Sequence, residues 1–181
     1  MEKHFKKFQS FYKKINQVFE DWKEVNDYSK LIIEKILDIS SRTSLFFKEK
    51  CYGILIGFSN IKNDLISNQI KSIENLLYEL RKLMLQFEGI YQNFLSIYEE
   101  IFNYFDKYQL QMNNLNICWE SKIGPDFLTI SSFLELIQTK KNIFSNYLLI
   151  RECILDEIEK IGHVFNEKTQ KKWEELFDSW N

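Results

Sequence analysis

Between Ile61 and Tyr108 the apolar side chains recur at alternating steps of four and three: Ile66, Ile70, Ile73, Leu77, Leu80, Met84, Phe87, Tyr91, Phe94, Tyr98, Ile101 and Phe105. A strand repeats every two residues and a helix every 3.6, so this spacing places one continuous apolar stripe on a helix. The stripe runs through roughly six heptads without a proline, which predicts a single helix over residues 60–108, about 65 Å long at 1.5 Å per residue. Leu65, Leu76, Leu83, Ile90, Leu95, Ile97 and Phe102 widen the stripe beyond a two-position seam. Such a surface calls for cover on more than one side, as in a bundle.

The rest of the chain carries the same period. Phe5, Phe8, Tyr12, Ile15, Phe19, Trp22, Val25, Ile32, Ile36 and Leu37 predict a first helix over 2–41, with a bend where Ser40, Ser41, Arg42, Thr43 and Ser44 cluster. The piece 44–58, with Gly53 and Gly57, reads as a short helix or irregular connection, and Ser59 or Asn60 as the cap of the long helix. After Tyr108 the Asn- and Gln-rich run to Asn116 reads as a loop or frayed helix end. Gly124-Pro125-Asp126 is a helix-start signature, and Ile130, Leu134, Ile137, Phe144, Leu148, Leu155, Ile158 and Phe165 predict a third long helix over 126–161 with Gly162 behind it. A short helix over 169–178 presents Trp173, Leu176 and Phe177. One proline and five glycines in 181 residues are too few for the turns of a sheet sandwich or a doubly wound α/β fold. The expected architecture is all-α: one elongated antiparallel bundle or coiled coil of three long helices and a short one, spanning 1–181.

Charge and chemistry narrow the function. Twenty-four basic side chains against twenty-six acidic ones give a net charge of −2, a field that favours neither nucleic acid nor an anionic membrane as a direct partner. No run of 18 apolar residues occurs, and Cys51, Cys118 and Cys153 are odd in number and widely spaced, so an intracellular, reducing compartment is expected. There are two histidines, His4 and His163, and neither has metal-ligand company; Glu159 and His163 share a helix face as a solvated pair. The GxxxxGK, GxGxxG and GxSxG sequences are absent. The expectation is a non-enzyme with no catalytic residue, cofactor or metal. Lys3, Lys6, Lys7, Lys13 and Lys14 interleave with Phe5, Phe8 and Phe11, and read as the solvated side of a bundle helix rather than a membrane-binding face. Among the tryptophans, Trp22 and Trp173 read as core and Trp180 as free to dock a partner.

Two stretches carry a family resemblance. Phe58-Ser59-Asn60-Ile61-Lys62-Asn63-Asp64-Leu65, followed by Gln69-Ile70, Leu77 and Leu80, resembles the Phe-Pro-Asp-Leu-Lys-x-x-Leu-x-x-x-Gln-Leu segment of the AIRIM family of ribosome maturation factors. Gly124-Pro125-Asp126-Phe127-Leu128-Thr129-Ile130-Ser131-Ser132-Phe133-Leu134-Glu135-Leu136-Ile137 is similar to that family's Ser-Pro-Ser-x-x-Asp-Met-x-x-Trp-Leu-x-x-Ile, with Phe133 in the place of tryptophan. Trp22 and Trp173-Glu174 have counterparts at comparable places, whereas Ser59 replaces the family's proline and Thr129 its aspartate. The resemblance implies an adaptor that pairs with a helical subunit of the cyclin-dependent kinase 2-interacting protein type and sits with it on a hexameric AAA+ ATPase of the spermatogenesis-associated protein 5 type. That assembly releases and recycles shuttling factors from pre-60S particles and acts in turnover of replication proteins, which implies a cytoplasmic and nuclear location. Trp22-Lys23-Glu24-Val25-Asn26-Asp27 echoes the sister subunit, so either of the two is compatible with the sequence. The heptads alone equally suit a structural subunit of a kinetochore, tether or trafficking complex. The residues expected to face a partner are Tyr98, Ile101 and Phe105 on the long helix and Trp173, Phe177 and Trp180 near the end.

Overall fold

In a computed structural model, residues 2–45, 60–114, 123, 129–161 and 167–180 are described. They form four helices: α1 (Glu2–Leu45), α2 (Ile61–Asn114), α3 (Ile130–Ile161) and the short α4 (Glu167–Asp178), with no strand among the described residues. The protein is all-α, three long helices followed by a short one.

Each helix end has a local cause. The Asn60 carbonyl accepts the Asp64 amide at 3.0 Å, the first turn of α2, and Asp64 places a negative charge against the positive end of the helix dipole. Ser59, the other expected cap, lies outside the described residues. At α3, Thr129 Oγ1 accepts the Ser132 amide at 3.1 Å, and the Thr129 carbonyl accepts the Phe133 amide at 2.9 Å, an N-cap arrangement. The expected start at Pro125 and Asp126, the expected stop at Gly162 and the segment with Gly53 and Gly57 are likewise outside the described residues.

Two helices run past their expected ends. The cluster from Ser40 does not end or break α1, because Thr43 turns its hydroxyl back onto the Ile39 carbonyl at 2.7 Å and Ser40 and Thr43 are buried. The side chain that competes for backbone in a coil is here satisfied inside the helix. Arg42 closes the last turn by pairing with Asp38 at 2.7 Å. The polar run after Tyr108 likewise stays helical as far as Asn114.

The chain divides into two compact units, each drawing segments from the three long helices. Unit 1 comprises 1–24 and 87–147. Its core is aromatic: Trp22 stacks on Phe144 (4.1 Å between centroids, 11° between planes) and tilts against Phe87 at 4.8 Å, while Phe19 packs on Phe94 and edge-on to Phe144. Phe8 and Phe11 meet Tyr104 edge-on, and Tyr12 meets Phe133. These pairings run α1 antiparallel to α2 and parallel to α3 within the unit. Unit 2 comprises 25–86 and 148–181, and its long helices contribute mostly aliphatic side chains: Ile32, Ile33, Ile36, Ile73, Leu80, Leu83, Met84, Ile154, Leu155 and Ile158. Its buried rings come from α4 and the turn after it: Trp173, Phe177 and Trp180.

No member of the twelve-residue α2 stripe is exposed, and Ile73, Leu80, Phe87, Phe94 and Ile101 are wholly buried. Truncating one of them removes transfer energy and leaves a cavity, so Leu80→Ala and Phe87→Ala are each expected to cost about 2–5 kcal/mol. Leu85, 67% exposed on the same helix, is expected to change stability by less than about 0.5 kcal/mol when replaced by alanine. Urea unfolding of the three variants measures the contrast; equal losses at Leu80 and Leu85 would show that the stripe is not the core. Gly89 lies inside α2 with open space where a Cβ would stand. Gly89→Ala is therefore expected to stabilise the protein by about 0.5–1 kcal/mol, read as a raised melting temperature, because nothing opposes the gain in helix propensity.

Candidate interaction site

The residues singled out in the sequence as partner-facing divide between the units, with Tyr98, Ile101 and Phe105 in unit 1 and Trp173, Phe177 and Trp180 in unit 2. Four of them are buried in this chain: Ile101 is fully buried, and Trp173, Phe177 and Trp180 are each 1% exposed. Trp180 is thus not the free anchor expected from its position. Two successive i→i+3 turns, Ser179 N to Leu176 O at 3.2 Å and Trp180 N to Phe177 O at 3.0 Å, tighten the end of α4 and swing its ring inward. Trp22 and Trp173 are core residues, as their size and spacing suggested. Tyr98 and Phe105 remain half-buried; Tyr98 lies on Phe102 at 4.5 Å, carries Lys141 over its ring at 4.5 Å and donates its hydroxyl to Gln138.

Around Trp180, unit 2 holds a polar clasp that the apolar pattern did not reveal. The indole N–H donates to Ser29 Oγ at 3.0 Å, and Ser29 Oγ–H donates to the Asn26 carbonyl at 2.7 Å. The Arg151 guanidinium donates to Asn26 Oδ1 and, at 3.4 Å, to the Trp180 carbonyl, and stands over the Trp180 ring at 5.4 Å. Arg151 is 2% exposed and Ser29 fully buried. A buried guanidinium is tolerated only with such partners, and a cation suits the carbonyl-rich end of a helix. The sequence signal was a gap: Ser29 occupies the stripe position between Val25 and Ile32, and Arg151 the one between Leu148 and Leu155. A polar residue at each vacant heptad position marks where something other than an aliphatic side chain must meet the helix.

A half-open groove of 420 Å³ lies elsewhere in unit 2, floored by Leu77, Tyr78, Leu155 and Ile158. Glu159 pairs with Arg81 at the groove's rim; His163, its expected partner, is outside the described residues. Tyr78, Leu85, Leu149 and Ile150 are exposed apolar side chains of the same unit. Among the described residues no group of His, Cys, Asp and Glu suits a metal ion, and no helix is long and apolar enough to cross a membrane.

In unit 1, Glu100 bridges Lys7 at 2.9 Å and Lys14 at 2.7 Å, which ties the start of α1 to α2 beside Tyr104. His4 Nδ1 lies 2.7 Å from the Tyr104 hydroxyl, and its ring sits against Tyr108. Burial first, then nearby positive charge including Lys3, holds His4 below its ordinary pKa, and burial raises the Tyr104 hydroxyl. Of the basic N-terminal cluster, Lys3, Lys6, Lys13 and Lys14 are exposed, opposite the buried Phe8 and Phe11.

Compared with known proteins, the chain matches over residues 2–181 the family model described as CA109-like: Ribosome biogenesis protein C1orf109-like, which is the AIRIM family. No curated protein and no solved structure matches it.

The Lys14 and Lys7 bonds hold the Glu100 carboxyl below the ordinary glutamate value of 4.5. A depressed acid contributes stability above its unfolded value, and that contribution disappears as the pH falls through the folded value. The side chains are 37–45% exposed, so the effect is expected to stay below about 1 kcal/mol. Wild type should exceed Glu100→Gln in denaturation midpoint at pH 7, and the difference should shrink as the pH falls below the ordinary glutamate range and through the folded value. A difference that stays constant as the pH is lowered from 7 to 2 would mean that the carboxylate charge is not its source.

Proposed function

We propose, since this chain belongs to the C1orf109-like family of ribosome biogenesis proteins, that it is a non-catalytic adaptor subunit of an AAA+ ATPase complex acting in late 60S maturation. In this reading it pairs with a second helical subunit of the cyclin-dependent kinase 2-interacting protein type, meets the ATPase hexamer with it, and reaches pre-60S particles indirectly in cytoplasm and nucleus. It binds neither nucleic acid nor membrane itself. The observation that carries the ribosomal part is the family match over residues 2–181. The adaptor part rests on the resemblance of the stretches beginning at Phe58 and Gly124, together with a sequence that carries no phosphate loop or nucleophile elbow.

In this reading the partner meets residues that the chain's own core leaves uncovered. Ile101, Trp173, Phe177 and Trp180 hold the chain's own core, so the apolar surface open to a partner includes Tyr98, Phe105 and Leu110 in unit 1 and Leu31, Tyr78, Leu85, Leu149 and Ile150 in unit 2. Aromatic and aliphatic anchors of this kind carry interface energy where a partner excludes water from them.

Tagged full-length protein purified from native lysate is expected to retain an AAA+ ATPase and a second helical subunit, with no nucleotide hydrolysis by the isolated chain. Alanine at Tyr78 and Leu85 together should reduce that recovery without lowering the melting temperature. Absence of any AAA+ ATPase from the eluate would overturn the adaptor reading, whereas undiminished recovery with the double variant would overturn only this choice of surface.

A further inference from the structure

α4 is held to unit 2 by one stripe. Trp173, Phe177 and Trp180, at i, i+4 and i+7, are buried, while Lys171, Lys172, Glu174, Glu175 and Asp178 face solvent. Beyond that stripe the described contacts include the Lys172–Glu157 pair at 2.8 Å, whose side chains are 49% and 37% exposed and which therefore adds little. Twelve residues are too few for a stable helix in isolation, so α4 is helical because its groove holds it.

The spacing is that of a helical peptide docked in a groove, with anchors on successive turns of one face. The receiving surface is built to match: Ser29 on α1 takes the indole N–H, and Arg151 on α3 takes the Trp180 carbonyl and the face of its ring. An apolar seam uncovered by a departing helix gains nothing from water. Here the uncovered floor includes a guanidinium, a hydroxyl and the Asn26 amide, and these groups hydrate when α4 leaves. Opening at α4 is thereby cheaper than opening an aliphatic seam of equal area, and the same polar groups select what may return.

We infer that the groove on α1 and α3 filled by α4 is an exchangeable helix-binding groove, which accepts from a partner protein an amphipathic helix bearing large aromatic side chains at i, i+4 and i+7, with tryptophan last, where the helix ends. The tethered α4 is its resident occupant and competes with the incoming helix. The inference rests on the geometry of unit 2 alone and stands or falls separately from the ATPase reading.

The probe is a fluorescein-labelled peptide of residues 167–181, added to full-length protein and followed by anisotropy. Tethering gives α4 an effective concentration on the order of millimolar, so wild type should bind the peptide at least about tenfold more weakly than a Phe177→Ala, Trp180→Ala chain whose own α4 is loosened. A peptide with alanine at Trp173, Phe177 and Trp180 should not bind. A folded double variant that fails to bind the peptide, equal binding by wild type and variant, or equal binding of the alanine peptide would each overturn the inference. If the double variant loses its helical signal, hydrogen exchange on the wild-type chain decides: α4 amides should exchange at least about tenfold faster than those around Ile32 and Leu80, and exchange at the same rate would mean that α4 never leaves its groove while the rest stays folded.

Discussion

A 54-residue helix with an unbroken apolar stripe cannot remain alone in water, and the other helices cover that stripe. Helix propensity makes α2 possible, but burial of Ile73, Leu80, Phe87, Phe94 and Ile101 makes it stable. In unit 1 the cover is aromatic. Trp22, Phe87, Phe94 and Phe144 form one contiguous ring cluster, in which edge and stacking geometry adds to the area buried. In unit 2 the long helices supply branched and unbranched aliphatic side chains, and the rings arrive with α4.

The sequence revealed most of this where one interaction type decides the outcome. Periodicity located the four helices of the described residues, because an apolar stripe has only one way to be buried. It failed at Ser40 to Thr43, where propensity argued for a break and a local hydroxyl-to-carbonyl bond kept the helix running to Leu45. It failed again at Trp180, since proximity to the end of the chain says nothing about a tightened turn that swings a ring into the core. The α4 clasp was out of reach for a third reason. Asn26 and Ser29 lie far from Arg151 and Trp180 in the sequence, and hydrogen bonds between distant polar groups leave no period; they leave only the two gaps in the stripes.

Those gaps carry a cost and a return. Aliphatic residues at 29 and 151 would pack without desolvating a charge, and such replacements of buried ionic groups are often neutral or stabilising. What a serine and an arginine add is selectivity: an indole N–H meets the hydroxyl, and the Trp180 carbonyl and ring face meet the guanidinium, contacts that a helix with only aliphatic side chains at these positions does not reproduce. The arrangement therefore fixes which helix sits on unit 2 and in what register, more than how tightly it sits.

Two kinds of surface occur on this ribosome biogenesis family member. Exposed leucines and tyrosines such as Leu85, Leu149 and Tyr78 are individually unremarkable, because more than half of a folded protein's surface is apolar. Their positions do not define a geometry for a ligand, and any apolar patch of adequate area would cover them equally well. The groove beneath α4 differs because its present occupant displays the shape, the spacing and the hydrogen-bond pattern of what fits. Specificity in protein recognition comes from surfaces of the second kind, whereas surfaces of the first kind contribute only added area.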